Sequence, residues 1–319
     1  MKESKEHSRR NFIKQSAMAG GAILLPMQGI AEHLILNQSV KPLNISIFSK
    51  CLQFLDYKDM SEASKEMGFD GVDLTVRPKG HVLPERVVDD LPKATEIMKS
   101  YELAPQLFST SIGDADNAIN RKVLETASQL GYQYYRVGWF KYKRENDILE
   151  TVKFAKKQLK DLARLNRKLG ISGSYQNHSG HYFGSGIWDL HEALEKLSPK
   201  HLGSQYDIMH ATLEGGKGWE IGFKLIQPYI NTIVLKDFIW AKKDNKWARQ
   251  YVPIGEGMID FNRYFALLKK YKINAPVSIH VEYDLGGAEH GGTPSISHQE
   301  VLKRIKKDLD FVRTTWEKV

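Results

Sequence analysis

The segment DILETVKFAKKQLKDLARLNRKLGISGSYQNH, residues 147–178, contains the unit from which the fold is built. Apolar residues recur at three- and four-residue spacing as far as Leu169, which predicts an amphipathic helix. Gly170 follows at a position where helices commonly end in a left-handed residue. The β-like run ISGSYQNH comes next and predicts a strand. A helix therefore leads into a strand across a very short turn.

The same alternation continues along the chain and predicts an α/β fold. With no glycine-rich phosphate loop after the first run, a single (β/α)8 TIM barrel over residues 40–319 is favoured over an open doubly wound sheet. The eight β-like runs, separated by helical patterns, are residues 44–49, 71–76, 104–112, 132–140, 171–178, 203–209, 231–238 and 276–283.

Composition excludes several classes of protein. The chain has 319 residues, of which 41% are hydrophobic and 26% charged, as in ordinary globular proteins and unlike disordered or fibrous ones. The net charge is +8, but no Lys/Arg-rich block with interleaved aromatics is present, so we expect no nucleic-acid partner. Cys51 is the single cysteine, which excludes an internal disulfide and a cysteine-based zinc site.

Residues 1–31 resemble a twin-arginine export signal. The string SRRNFIK, from Ser8 to Lys14, precedes a short stretch of small and apolar residues. This predicts an exported, periplasmic protein whose signal is removed near Ala31. The apolar stretch is too short to span a bilayer comfortably, so we expect no stable membrane insertion after processing. The alternative is a cytosolic N-terminal helix with a chance Arg-Arg pair.

Polar side chains cluster near the carboxyl ends of the predicted strands, where TIM barrels carry their chemistry. A charge that points into a packed barrel is costly unless it is paired, so the set predicts a site for a polar ligand. Trp139 lies at one of these ends and could stack on the apolar face of a sugar. The residues concerned are Asp73, Thr75, Arg77, Arg136, Gln176, His178, Gln205, Asp207, His210, Lys236, His280 and Glu282.

At these residues the chain resembles the xylose isomerase-like barrel superfamily, which includes sugar isomerases, ketose 3-epimerases and inosose dehydratase. The resemblance extends over residues 44–315, and the Asp-x-x-His spacing of Asp207 and His210 is its most telling feature. The strings that carry it, in chain order, are GVDLTV, YQNHSG, SQYDIMHATLEGG, IVLKDF, VPIGEGMIDF and HVEYD.

The resemblance implies one divalent metal ion, Mn²⁺, Mg²⁺ or Co²⁺, held by ligands from the last four strands. Asp207 and Glu282 match two ligand positions, and Gln176 is a weak third. The expected histidine of the seventh strand falls on Val234, and His280 could supply the missing imidazole. Without a metal, Asp207 and Glu282 would act as acid/base groups or pair with Lys236.

The implied reaction is proton transfer through an enediolate of a sugar, keto-sugar or cyclitol, as in an isomerase or epimerase. We assign catalysis to Glu282, Lys236, His210 and His178. The small-molecule substrate would be bound by Asp73, Arg77, His81, Arg136, Gln205 and His280.

Several alternatives remain open at this point. Gln176 stands where relatives carry a second carboxylate, which would suit a lyase or dehydratase that eliminates from a 3-keto-glycoside or keto-cyclitol. The broken ligand set would also suit a non-catalytic sugar-binding barrel. A Schiff base on Lys236 is less favoured, because Asp237 lies beside it and the string LKD suggests an ion-paired or substrate-binding lysine. The resemblance is also compatible with a homo-oligomer.

Overall fold

The computed structural model of the protein describes residues 42–143 and 148–319. The segment assigned above to the export signal, residues 1–31, lies outside this range. The described residues contain ten strands: β1 (Ile45–Phe48), β2 (Gly71–Thr75), β3 (Leu107–Ser109), β4 (Tyr134–Arg136), β5 (Ser172–Gln176), β6 (Leu202–Asp207), β7 (Ile230–Leu235), β8 (Asp237–Lys243), β9 (Lys246–Val252) and β10 (Val277–Ile279).

Eight of these strands form a closed parallel barrel in the order β1-β10-β7-β6-β5-β4-β3-β2. Each predicted β-like run overlaps one of them, so the predicted barrel is confirmed. The helices are α1 (Tyr57–Met67), α2 (Val87–Ser100), α3 (Ala118–Leu130), α4 (Ile148–Leu169), α5 (Trp188–Leu194), α6 (Ile208–Gly215), α7 (Trp219–Ile226), α8 (Phe261–Lys270) and α9 (His298–Lys318).

Local sequence explains where the helices begin and end. The Asp56 carboxylate accepts a hydrogen bond from the backbone N–H of Asp59 at the start of α1, and Asn117 caps α3 in the same way. Gly68 and Gly131 end these two helices with φ near +94°, a conformation that costs glycine little. Of the helices described, none is long and apolar enough to cross a membrane.

The interior of the barrel is unusually polar. Hydrophobic side chains fill the layer between the outside of the strands and the surrounding helices, with Tyr206 packed on Phe223 and Tyr264 as an example. Strand residues alternate between this layer and the lumen, so the polar positions of each strand point inward. The buried inward residues include Ser46, Asp73, Ser109, Arg136, Ser174, Gln176, Gln205, Asp207, Thr232, Lys236, Ser278 and His280.

The remaining two strands form an antiparallel hairpin, β8–β9, that follows the seventh barrel strand at the mouth of the barrel. The sequence analysis did not predict it. Asp244 and Asn245 make the two-residue turn, both with positive φ (50° and 59°), which is typical of hairpin turns between alternating runs. An Asp-Asn pair between two such runs is the signal that would have identified it.

Asp237 anchors the hairpin to the next loop rather than pairing with Lys236. Its carboxylate accepts hydrogen bonds from the backbone N–H groups of Phe238, Gly255 and Gly257 at 2.8, 3.0 and 3.0 Å. A Cβ on Gly257 would lie 2.2 Å from the Asp237 carboxylate oxygen, so this close approach requires glycine. The GEG turn is therefore a structural element that fixes the base of the hairpin.

Candidate active site

A buried ammonium lies at the centre of the barrel mouth. The Nζ atom of Lys236 is 2.8 Å from Nε2 of His210 and 3.1 Å from Oδ2 of Asp207. The side chains of Asp207 and His210 are fully buried, and that of Lys236 is 4% exposed. The structure thus brings together three of the predicted site residues.

The ends of β6 and β5 hold the Asp207 carboxylate in place. Asp207 is the last residue of β6 and caps α6, because its Oδ1 accepts from the backbone N–H of His210 at 3.1 Å. Its Oδ2 accepts from the Gln176 amide at 2.8 Å. The first turn of α6 then carries the His210 ring back over the same carboxylate, which explains the Asp-x-x-His spacing.

The charges in this cluster follow from burial and neighbours. Burial lowers the pKa of Lys236, but the carboxylates of Asp207 and Glu282 outweigh it and leave the pKa raised, so the side chain is an ammonium. Burial and the Lys236 charge hold the pKa of His210 well below its usual range. Neutral His210 accepts from Lys236 through Nε2, and its Nδ1–H donates to the Ser179 hydroxyl at 2.8 Å.

Glu282 faces the opening of the mouth. Its side chain is 22% exposed, and Oε1 lies 3.2 Å from Nζ of Lys50. Burial raises the pKa of Glu282, but the positive charges of Lys236 and then Lys50 outweigh this effect and lower the pKa to about 2. The carboxylate is therefore ionised at any ordinary pH and is a weak base.

His178 is the partly accessible imidazole of the mouth. Its Nδ1–H donates to the Ser179 carbonyl at 2.9 Å, which leaves Nε2 unprotonated. The ring lies 4.0 Å from that of His210 and 4.8 Å from that of Trp139, centroid to centroid. Burial and next the Lys236 charge lower the pKa of His178 to about 4, so it is neutral at pH 7.

Two predicted ligand-binding groups lie deeper in the lumen. Asp73 accepts from the Ser278 hydroxyl at 2.7 Å and from Ser109 at 3.2 Å, and burial raises its pKa. His280 stacks on Phe48 with ring centroids 4.1 Å apart, and its Nε2 is 3.8 Å from Oδ2 of Asp73. Both side chains are almost fully buried, so they support the floor of the site.

Arginine side chains packed on aromatic rings form another part of the site. The Arg136 guanidinium lies 4.5 Å from the Trp139 ring centroid, and that of Arg77 lies 5.5 Å from the Phe48 ring. Burial and the neighbouring Arg77 charge lower the pKa of Arg136 to about 10, which leaves it charged at neutral pH.

His81 is partly buried and Gln205 is almost fully buried. His81 Nδ1 is 3.1 Å from the Ser49 hydroxyl, and burial lowers the pKa of His81 to about 4. Gln205 is 2% exposed. Within the described residues, several buried polar atoms here have no hydrogen-bond partner, so water or a ligand must supply one: Asp73 Oδ1, Arg136 Nε, Trp139 Nε1, Gln176 Oε1, Gln205 Oε1 and His280 Nε2.

Sequence reasoning missed four residues of the site. Lys50 follows β1 and pairs with Glu282, and Ser179 bridges His210 to the hairpin. Arg249 donates to the Ser179 hydroxyl at 3.1 Å, and the Tyr251 ring centroid lies 5.9 Å from Nζ of Lys236. Because the hairpin was not predicted, nothing in the sequence placed Arg249 and Tyr251 at the barrel mouth.

A family model described as "Xylose isomerase-like TIM barrel" matches residues 61–314. The chain belongs to this family. No match was found among curated protein sequences.

Several solved structures are similar to the chain along most of its length. A 3-keto-D-glucoside 4-epimerase from E. coli has a TM-score of 0.61 and 15% identity, covering 85% of this chain and 99% of its own. A D-allulose 3-epimerase from Methylomonas sp. has a TM-score of 0.63 and 14% identity, and the match covers 86% of this chain and 98% of the epimerase. The probable 3-DHS dehydratase from Bacillus anthracis has a TM-score of 0.60 and 13% identity, and the match covers 84% of this chain and 99% of the dehydratase. At such low identities the likeness shows the fold alone.

The metal ion expected from the family resemblance does not fit the side chains of this site. No group of three or more His, Cys, Asp or Glu residues in the described part of the chain is arranged to hold an ion. Val234, fully buried, occupies the expected histidine position. The Lys236 ammonium already contacts Asp207 and His210, and its positive charge would repel a second cation.

We therefore expect protein purified without chelator to contain far less than one divalent ion per chain by elemental analysis. EDTA should leave the Tm unchanged. As a matched comparison, Val234→His combined with Lys236→Ala restores an imidazole and removes the ammonium, and should gain affinity for Co²⁺. A stoichiometric ion in the wild type, removed by EDTA with a fall in Tm, would contradict this interpretation.

The neutral state of His178 predicts a measurable pH dependence of stability. Its pKa is about 4 when folded and near 6.5 when unfolded, so the unfolded chain binds the additional proton between these values. Its contribution to stability is almost complete at pH 7.5 and falls by about 1 kcal/mol on acidification to pH 5.5.

His178→Gln should remove this component. Urea unfolding at pH 7.5 and 5.5 should show a smaller loss of stability in the variant than in the wild type, by about 1 kcal/mol. Exposed His181→Gln is the control and should behave as the wild type does. Equal losses in wild type and His178→Gln would show that His178 titrates normally in the folded protein.

Proposed function

We propose that the protein is an enzyme that removes a proton next to the carbonyl of a sugar or keto-sugar, and so acts as an isomerase, an epimerase or a lyase. The observation that carries this proposal is the ammonium of Lys236, buried at the mouth of the barrel between two fixed acceptors. A preorganised positive charge of this kind stabilises the oxyanion of an enolate or enediolate.

Lys236, and not Mn²⁺, Mg²⁺ or Co²⁺, supplies this positive charge in the proposed mechanism. Two of its three N–H groups are directed at Asp207 and His210, and the third is available to the substrate carbonyl oxygen. Asp207 and His210 act through Lys236 as positioning residues. His210 is fully buried, so its predicted catalytic role becomes an indirect one.

His178 is the proposed base. Its Nε2 is unprotonated at neutral pH and belongs to a ring that lines the mouth beside His210. The imidazole takes the proton from the carbon next to the carbonyl while the carbonyl oxygen gains negative charge beside Lys236. The Lys236 charge that lowers the pKa of His178 is partly neutralised by this oxyanion, so the imidazole becomes more basic as the reaction proceeds.

Glu282 is proposed to orient the substrate by accepting hydrogen bonds from sugar hydroxyls. Its pKa of about 2 makes it a weaker base than His178. Epimerisation needs a second group to return the proton to the opposite face of the carbon. A site with one effective base therefore also supports elimination, in which the proton leaves with a group on the adjacent carbon, as a second candidate.

The decisive experiment is solvent exchange in D₂O. D-fructose, D-allulose and a 3-keto-glucoside should be incubated with the protein, and deuterium next to the carbonyl should be followed by NMR. His178→Gln and Lys236→Met should each slow the incorporation at least about a hundredfold. His181→Gln, an exposed histidine of the same loop, is the control. An absorbing unsaturated keto-sugar would identify the lyase.

Absence of deuterium and of product across this panel, with a folded protein, would refute the proposed enolate chemistry. Sugar binding without exchange would instead identify a non-catalytic sugar-binding barrel.

We also propose that this activity is exported, on the basis of the string SRRNFIK at Ser8–Lys14. Replacing Arg9 and Arg10 by lysine should keep the full-length precursor in the cytoplasm, because the twin-arginine pathway reads this pair. Cell fractionation with an antibody against the barrel measures this. Equal periplasmic amounts of wild type and variant would argue for another route.

A further inference from the structure

One face of the β8–β9 hairpin carries an alternating row of aromatic and cationic side chains. Residues directly opposite in an antiparallel pair share a face, and the register pairs Phe238 with Tyr251, Trp240 with Arg249 and Lys242 with Trp247. We call the outer part of this face, Trp240, Lys242, Trp247, Arg249 and Tyr251, the hairpin shelf.

The inner end of the shelf belongs to the candidate active site. Arg249 donates to the Ser179 hydroxyl that also contacts His210, and its guanidinium lies 4.6 Å from the Tyr251 ring centroid. Tyr251 in turn faces the Lys236 ammonium. The shelf is thus continuous with the mouth of the barrel.

The outer end of the shelf extends into solvent. Trp240 is 45% exposed and Trp247 is 68% exposed. Phe238, by contrast, is buried and belongs to the core. Two exposed tryptophans on one face contribute little to folding, and exposed apolar surface beside a polar site indicates binding.

The chemistry of the shelf matches a pyranose ring. Indole rings offer a flat apolar surface to the C–H face of a sugar, and tryptophan can bury a large area at low entropic cost. Lys242 and Arg249 alternate with the indoles and offer N–H donors to the oxygen atoms at the rim of a ring. From Tyr251 to Trp247 the strand advances four residues, about 14 Å, which is longer than one sugar ring.

We propose that the hairpin shelf binds a second pyranose ring, so that the substrate is a glycoside or oligosaccharide and not a free monosaccharide. The reacting ring occupies the barrel mouth, and the neighbouring ring stacks on Trp240 and Trp247. The assignment of the reacting ring rests on the proposed function; the binding of the neighbouring ring to the shelf does not.

Calorimetric titration tests the shelf without turnover. The protein is titrated with glucose, cellobiose and cellotriose, and with galactose and its β-1,4-linked disaccharide. The disaccharide of at least one series should bind about tenfold more tightly than its monosaccharide. Trp240→Ala and Trp247→Ala should remove this gain and leave binding of the monosaccharide unchanged. Trp188→Ala, on α5 and 61% exposed, is the matched control and should keep the gain.

Two results would overturn the proposal. One is equal affinity for mono- and disaccharide in every series. The other is a dimer that dissociates in Trp240→Ala or Trp247→Ala, by light scattering, with sugar binding unaltered, because the shelf would then be a contact between copies of the chain. Since binding is measured directly, the shelf can fail while deuterium exchange succeeds, and the reverse, so the two proposals are tested separately.

Discussion

The candidate site depends on one buried cation. Removing an ammonium from water is costly unless its charge is matched and its N–H groups are accepted. Lys236 meets this requirement through Asp207 and His210, and each of these is itself held by a second group, Gln176 or Ser179. The barrel supplies the rigidity, because these residues come from β5, β6, β7 and their following loops. A change in any of the four would alter how firmly the ammonium is held.

Burial and the same cation together set the protonation of the groups around it. Burial is the main cause that lowers the pKa values of His178, His210 and His280, and the Lys236 charge lowers them further; the same charge lowers the pKa of Glu282 against the effect of burial. An anion that forms on a substrate carbonyl would be stabilised by the Lys236 charge without any rearrangement of the protein. The family resemblance implied a divalent ion at this end of the barrel, and in the proposed mechanism the Lys236 ammonium supplies the positive charge instead.

The hairpin that follows β7 adds a binding surface to the mouth of the barrel. In TIM barrels the strand ends position the catalytic residues, whereas the loops that connect strands and helices vary and determine which ligand is bound. Arg249 and Tyr251 link the two functions, because they contact Ser179 and Lys236 and lie on the same hairpin face as the tryptophans. The polar lumen underneath, with Asp73 bonded to Ser278 and Ser109, supports the mouth from within.

The sequence alone determined the barrel, since the alternation of helical periods with β-like runs and helix-ending glycines such as Gly68 and Gly131 is a local property. It also determined which strand residues point inward, because side chains alternate along a strand. Only the tertiary structure decided that Lys236 pairs with Asp207 and not with neighbouring Asp237, and that Arg249 reaches Ser179 across 70 residues. Those contacts join segments distant in the chain, and which of several carboxylates a lysine meets depends on barrel closure, which no local pattern encodes.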